Sequence, residues 1–216
     1  MDVRTIDYYG ACDEAIKALN RWSLEAFGRL KLAKWDELNV IREVRTVYRE
    51  SARRAKKRYY EVAFEAYLLM CSLCGIDPKA AQRTADKAIT PEWVADVLDQ
   101  TDFVTMYRFN TEMDRKAIRL AEALEVAENR NAEVDKALRF WSQQLGQYAI
   151  NMTDYAMIQA VQDAGVEWVE WVTMKDERVC SECRPRDGKV YRIDEIPPKH
   201  WGCRCRMNPV WKAPEE

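Results

Sequence analysis

The residues best suited to chemistry stand close together near the C-terminal end of the sequence. Cys180 and Cys183 are separated by two residues, and His200, Cys203 and Cys205 follow after sixteen more. Four of the seven cysteines and the only histidine therefore fall within 26 residues. Thiolate sulfur and imidazole nitrogen are the usual ligands of tetrahedral zinc, and Cys-x-x-Cys is a common half-site. The spacing predicts a zinc site.

Five donors compete for the four positions of a tetrahedral ion, so two ligand sets are open. In the first set all four cysteines bind zinc, and His200 hydrogen-bonds a sulfur or packs beside Trp201. In the second set His200 replaces one cysteine. Cys203 and Cys205 lie two residues apart, so on an extended strand both can reach one metal. We favour the four cysteines.

We expect the zinc to be structural. A catalytic zinc keeps an open position for water, whereas four thiolates leave none. A tail of about fifty residues with few core residues also gains folding free energy from a metal. The alternative interpretation is a set of reduced thiols in a small core.

A basic run is a second candidate binding segment. Five positive charges fall within six residues, at Arg53, Arg54, Lys56, Lys57 and Arg58. Such a run neutralises several phosphates and gives DNA affinity that is independent of base sequence. A solvated helix face is the simpler interpretation, because glutamates before and after the run dilute its charge. DNA contact is therefore a hypothesis for these residues.

The other three cysteines are expected to be buried thiols. Cys71 and Cys74 have the spacing of a redox pair, but they close a helix among apolar neighbours instead of opening one after a strand. Cys12 has no partner histidine nearby in the sequence. None of the three has the pattern of a nucleophile.

Most of the chain before Gly165 is predicted to be helical. The stretch from Asp36 to Cys74 has no proline or glycine, and its small or apolar residues step by three or four, which predicts a helix of about 60 Å. A second stretch with small or apolar residues at every third or fourth position, which we also call a seam, runs from Thr101 to Asn129. We expect the two helices to pair antiparallel as a projecting arm, with a buried Asn110 fixing their register.

Glycine and proline mark the other boundaries. Gly75 is expected to end the first long helix, and Asp77-Pro78 and Thr90-Pro91 each to cap a short connecting helix. Helices are predicted over 132–148 and 153–164, and short strands follow Gly165. The fold class is mainly α: a long antiparallel helical arm and bundle over 1–150, then a small α+β cysteine-rich module over 151–216.

Composition excludes several classes of protein. The 216 residues are 48% hydrophobic, enough for a packed core. Lys and Arg number 34 against 36 Asp and Glu, so no global field attracts nucleic acid or lipid. The sequence has no apolar run of membrane-spanning length and no secretory signal. An odd number of cysteines then indicates reduced thiols and a cytosolic compartment.

The C-terminal motifs also resemble a known family. Trp171, Asp176-Glu177-Arg178, the Cys180 pair, Asp187-Gly188-Lys189-Val190-Tyr191 and Pro197-Pro198 before His200 form one signature. It resembles phage head morphogenesis proteins related to protein F of phage Mu, over Thr153 to Val210. Relatives often have Arg-Thr-Glu in the preceding helix, where this chain has Met152-Thr153-Asp154.

The resemblance implies a structural minor head protein of a tailed phage, present in a few copies inside the head and in the host cytoplasm during assembly. Its implied partners are the portal protein, a capsid or scaffold protein, and packaged DNA, with no membrane. Two alternatives are a nuclease or toxin-like transferase using the Cys/His module, and a zinc-ribbon nucleic-acid binder. We expect no enzyme, because one histidine supplies little acid-base chemistry and only six residues follow Val210. Ten basic and ten acidic residues from Val166 onward disfavour the ribbon.

Overall fold

The computed structural model describes residues 10–35, 39–99, 108–175, 177, 179–200, 202–203 and 205–211. Within them the helices are α1 Gly10–Lys31, α2 Val40–Leu73, α3 Pro78–Ala88, α4 Pro91–Asp99, α5 Phe109–Val126 and α6 Arg130–Asp163. The strands are β1 Trp168–Val172, β2 Val190–Arg192 and β3 Arg206–Val210. The predicted fold class, mainly helical with a small C-terminal strand module, is confirmed. None of the described helices is long and apolar enough to span a membrane.

The helix boundaries follow from capping chemistry. Asn39 accepts a hydrogen bond from the backbone N–H of Arg42 at the start of α2, over 3.1 Å. Gly75 ends α2 at a φ of +75°, a conformation that costs glycine little. Asp77 and Thr90 cap α3 and α4 as predicted. The predicted start of the first long helix at residue 36 lies outside the described residues.

α2 and α6 run parallel at the centre of a four-helix bundle. The Trp141 Nε1–H donates to Ser51 Oγ over 2.9 Å, and farther along both helices the Tyr67 hydroxyl donates to Asp163 over 2.5 Å. α1 and α5 each pack on both central helices. Both cores of the protein use these two helices, so α2 is packed along its length instead of projecting alone.

The predicted antiparallel pairing of the two seams is confirmed by the contacts of α5 with α2. The Lys56 ammonium donates to Asn110 Oδ1 over 3.2 Å near the start of α5. Tyr48, two turns earlier in α2, lines a cleft together with Leu120, near the end of α5. The expectation for Asn110 is wrong, because its side chain is exposed. The buried polar residue of this helix is Glu112, whose carboxylate pairs with an arginine one turn later.

α6 is one helix of 34 residues, which corrects the predicted break between 148 and 153. Polar side chains at this point are satisfied within the helix. The Gln147 amide donates to Asn151 Oδ1 over 3.0 Å, and the Thr153 hydroxyl donates to the carbonyl of Ala149 over 3.0 Å. α6 therefore crosses residue 150, and the division of the chain into two domains there stays a prediction.

The three strands form an antiparallel sheet in the order β2-β1-β3. Trp168 stands opposite Arg192 on one side and Val210 on the other. Val169, Trp171 and Met207 are buried in the second core, which also contains the C-terminal halves of α2 and α6. The sheet is therefore packed on the bundle, and the loops on either side of β2 carry the predicted metal donors.

The buried hydrogen bond from the Tyr59 hydroxyl to the Leu145 carbonyl, 2.8 Å long, ties α2 to α6. We expect Tyr59→Phe to lower the free energy of unfolding by about 1 kcal/mol, because one buried hydrogen bond is lost at nearly constant shape. Urea unfolding followed by circular dichroism measures the change. Tyr60→Phe is the matched control and should shift stability by less than about 0.5 kcal/mol. Equal effects of the two changes would contradict the assignment.

Candidate metal centre

The first donor loop, between β1 and β2, carries Cys180 and Cys183. The backbone N–H of Cys183 donates to Cys180 Sγ over 3.3 Å, and that of Arg184 donates to the Cys180 carbonyl over 3.0 Å. These bonds turn the chain so that both sulfurs are on one side. This is the tight half-site that the Cys-x-x-Cys spacing predicts.

Residues that follow the cysteine pair within the first donor loop fix the position of the loop. Asp187 Oδ1 accepts hydrogen bonds from the backbone N–H and the hydroxyl of Thr173, over 2.8 and 2.9 Å. Burial opposes ionisation of Asp187, but these bonds and nearby Lys175 give a net lowering of its pKa. The Arg186 guanidinium lies over the ring of buried Trp171, 5.0 Å from its centroid. The loop is thereby held against β1.

The second donor loop, between β2 and β3, contributes Lys199, His200, Gly202, Cys203 and Cys205. The backbone N–H of Cys203 donates to the His200 carbonyl over 3.1 Å. Gly202 has a φ of +74°, which a residue with a Cβ adopts at a cost. This turn brings His200 and Cys203 to the same side, and Cys205 stands immediately before β3.

The five predicted donors meet around one cavity of about 30 Å³. His200 Nε2 is 3.0 Å from Cys180 Sγ and 3.3 Å from Cys183 Sγ. Cys183 Sγ is 3.7 Å from Cys203 Sγ. Donor atoms around a tetrahedral zinc ion are about 3.5 to 3.8 Å apart, given its bond lengths to sulfur and nitrogen. The distance between Cys183 and Cys203 lies in this range, and the two His200 distances lie below it, so this donor set could hold a metal ion after a small displacement of the imidazole.

Cys183 is shared by two donor groups. Cys180, Cys183 and His200 have ligand atoms within 4.8 Å of one another, and so have Cys183, Cys203 and Cys205. His200 is thus as close to the first cysteine pair as a ligand would be. Both ligand sets remain open, and the choice of the four cysteines stays a prediction.

The thiols differ in acidity. A hydrogen bond from Cys205 and the nearby Lys199 ammonium lower the pKa of Cys203 to about 5, against the opposing effect of burial. The pKa of Cys205 is raised, because it donates that bond and is buried. Burial also raises the pKa of Cys183 to about 12. Binding of a metal by these thiols therefore releases protons.

Buried polar contacts fasten the second donor loop to α6. The Lys199 ammonium lies 2.6 Å from Asp154 Oδ2 and donates to the Cys205 carbonyl over 2.5 Å. The backbone N–H of Gly202 donates to Gln147 Oε1 over 2.7 Å. Only 1% of the Lys199 side chain and 6% of the Asp154 side chain are exposed. The second donor loop is thus held at two points along α6, at Gln147 and at Asp154.

Sequence reasoning missed these fastening residues, although a signal was present. Gln147, Asn151 and Asp154 recur at helical spacing and are buried in α6, where an apolar face would be expected. Buried polar side chains at such spacing need partners from another part of the fold. The partners lie 45 residues away for Asp154 and 55 for Gln147, so the sequence alone does not identify them.

Two of the three arginines of the basic run are paired within the bundle. Arg54 lies 3.0 Å from Glu50 and 3.4 Å from Glu25 of α1. Arg58 lies 2.5 Å from Glu61. These carboxylates neutralise part of the charge on the face of α2 that meets α1.

The lysines of the run do not share one surface. Lys56 faces α5, where it contacts Asn110 and lies 5.7 Å from the ring centroid of Phe109. Arg53 and Lys57 are exposed. Contact of the run with DNA stays a prediction.

The three remaining cysteines are buried, as predicted. Burial raises the pKa of Cys12 to about 12 and that of Cys74 to about 11, and it raises the pKa of Cys71 as well. Such thiols are poor nucleophiles. Asp176 and Arg178 of the signature lie outside the described residues, as do Trp201 and Arg204.

The fold and site are those of a helical bundle that carries a Cys/His metal-donor module. A family model described as Phage Mu protein F like protein matches residues 111–208, just under half of the chain. This part of the chain is similar to that family, which confirms the resemblance read from the signature. The match begins in α5 and ends in β3, so it includes α6 and all five donors. No curated protein and no solved structure matches the chain.

We expect the purified protein to contain about one zinc ion per chain, because the five donors surround one ion-sized cavity. Elemental analysis after mild purification measures the content. Cys180→Ser with Cys183→Ser should lose the metal. Cys71→Ser with Cys74→Ser, a pair with the same spacing, should retain it. A zinc content of less than about a tenth of an equivalent per chain in metal-supplemented wild-type protein would contradict the zinc site and leave the interpretation as a cluster of reduced thiols.

We expect Lys199→Met to lower the free energy of unfolding by about 3 to 5 kcal/mol, because it leaves the Asp154 carboxylate buried without its partner. Lys189→Met, at an exposed position, is the control. Adding Asp154→Leu should recover part of the loss, since no charge then remains buried. Additive losses in the double variant, measured by urea unfolding, would argue against a direct ion pair.

Proposed function

We propose that this protein is a minor head protein of a tailed bacteriophage that docks on the portal protein inside the head and assists head morphogenesis or DNA packaging and ejection. The observation that carries the proposal is the family match over 111–208. It covers the donor module together with most of α5 and the whole of α6. The match therefore extends well beyond the cysteine motif.

We also propose that the metal is structural zinc. The strands of the module have five, three and five residues, so the sheet alone orders little of the surrounding chain. Zinc, when bound, would supply bonds that join the two donor loops across β2. The candidate ligands are Cys180, Cys183, Cys203 and Cys205, with His200 as the alternative. Lys199 and Asp154 hold the second donor loop where its sulfurs face the first.

The geometry favours a protein without catalytic turnover. The donor cavity, about 30 Å³, has the volume of a single ion or water and leaves no space for a substrate. The only histidine points its Nε2 at two sulfurs, at 3.0 and 3.3 Å. It is therefore engaged at the cluster and poorly placed as a general acid or base.

Docking on a portal also suits a packed helical bundle. A portal is a ring of identical subunits, so several copies of one modest contact act together through high effective concentration. The fastened module and the two-core bundle present a rigid surface for such contacts. Rigidity limits the entropy lost on binding.

Co-expression with the portal protein of the same phage tests the proposal. We expect the protein to co-sediment with isolated portal rings and to be present in mature heads. Absence from both would contradict portal docking. Nuclease or transferase activity that is lost in a folded His200→Ala variant would instead establish the enzyme alternative.

A further inference from the structure

A second cleft lies between α5 and α6, away from the donor loops. It has a volume of about 320 Å³. Leu120 and Ala123 of α5 and Ala137 and Phe140 of α6 form its walls, and Tyr48 of α2 contributes to its lining. The residues from each helix recur every three or four positions, so the cleft follows the direction of two antiparallel helices.

The buried Tyr48 is a polar group inside this cleft. Only 1% of the residue is exposed, and its ring packs against Phe27 and Trp141. Among the described residues no hydrogen bond of its hydroxyl is seen, and the oxygen is not one of the fully buried polar atoms without a partner. The hydroxyl is therefore reached from the cleft that it lines and can bond to a ligand there.

The rim of the cleft carries an excess of positive charge. Lys116, Arg119 and Lys136 line it, and Glu133, which lies 3.6 Å from Lys136, is the one carboxylate among its lining residues. Lys116 is half-buried, and burial lowers the pKa of its ammonium. Nearby Glu112 opposes this lowering of the pKa, and Arg115 and Arg119 add repulsion. Three cations against one carboxylate favour a negatively charged ligand.

Large apolar side chains continue the cleft surface. Phe140 is 52% exposed at its wall, and Val126 is 84% exposed one turn beyond Ala123 on the same row of α5. An exposed apolar strip beside cations matches an amphipathic helix better than a phosphate backbone. A groove between two antiparallel helices also accepts a third helix by ridge-into-groove packing.

We propose that this cleft binds an acidic amphipathic helix of a partner protein. A glutamate or aspartate side chain of that helix enters between Lys116 and Arg119 and accepts a hydrogen bond from Tyr48. An apolar residue one turn farther along packs on Phe140. The inference does not depend on portal docking, because it rests on the shape and charge of the cleft alone.

A model peptide tests the proposal on the full-length protein. The probe is a fluorescein-labelled peptide of about 18 residues that repeats leucine and glutamate at helical spacing. Fluorescence anisotropy measures its Kd at low and at high salt. We expect a Kd below about 1 mM that weakens with salt, and at least about tenfold weaker binding when glutamine replaces glutamate.

Variants then locate the binding site. Lys116→Glu with Arg119→Glu should weaken binding at least about tenfold, and Phe140→Ser should weaken it by a similar factor. Tyr48→Phe should weaken it about threefold, with circular dichroism confirming that each variant is folded. Arg139→Glu is the matched control, because this exposed arginine adjoins Phe140 but does not line the cleft. Its effect should be less than about twofold.

Three results would overturn the proposal. The first is no binding of the peptide by the wild-type protein up to about 1 mM. The second is equal binding by wild type and the double charge-reversal variant. The third is displacement of the peptide by dodecanoate or by duplex DNA at a lower concentration than unlabelled peptide requires, which would assign the cleft to a small amphiphile or to nucleic acid.

Discussion

The ion pair between Lys199 and Asp154 is the contact on which the metal site depends. Two buried charges 2.6 Å apart lose their hydration, and only close pairing with further hydrogen bonds offsets that cost. The Cys205 carbonyl supplies one further bond to Lys199. The pair therefore adds little net stability but strongly disfavours any other position of the second donor loop. Because that loop carries three of the five donors, the pair decides whether they meet the first two.

The central helices α2 and α6 couple the site to the rest of the chain. Both cross from the first hydrophobic core into the second, and Tyr60 and Trp93 pack against both cores. Cys183, Cys203 and Cys205 are themselves members of the second core. A metal bound by them would tie the donor loops into the second core, so its removal would loosen that core first, while the first core keeps its own apolar contacts. Cooperative unfolding of the whole chain then depends on the continuity of α6.

Local chemistry made much of this structure predictable. Asp77, Thr90 and Gly75 mark helix ends through backbone chemistry that acts within a few residues, and the clustered donors share one stretch of sequence. Long-range contacts were not predictable. Asn110 lies at a position that the spacing assigns to the helix interface, yet its side chain is exposed and accepts a hydrogen bond from Lys56. Likewise α6 continues past Asn151, and its buried polar face is matched by a loop about fifty residues away. The choice among the five metal donors depends on interatomic distances that the spacing in the sequence does not fix.

α6 also relates the metal centre to the proposed helix-binding cleft. Phe140 lies at the cleft, and Asp154 lies fourteen residues later at the donor loop, a separation of about 21 Å along a continuous helix. A helix packed on both sides does not bend at this scale, so the two surfaces keep a fixed spacing. The paired arginines of the basic run, by contrast, are neutralised within the bundle. The carboxylates that pair with them therefore reduce the attraction of the basic run for an acidic partner, although its total positive charge is larger than that of the cleft.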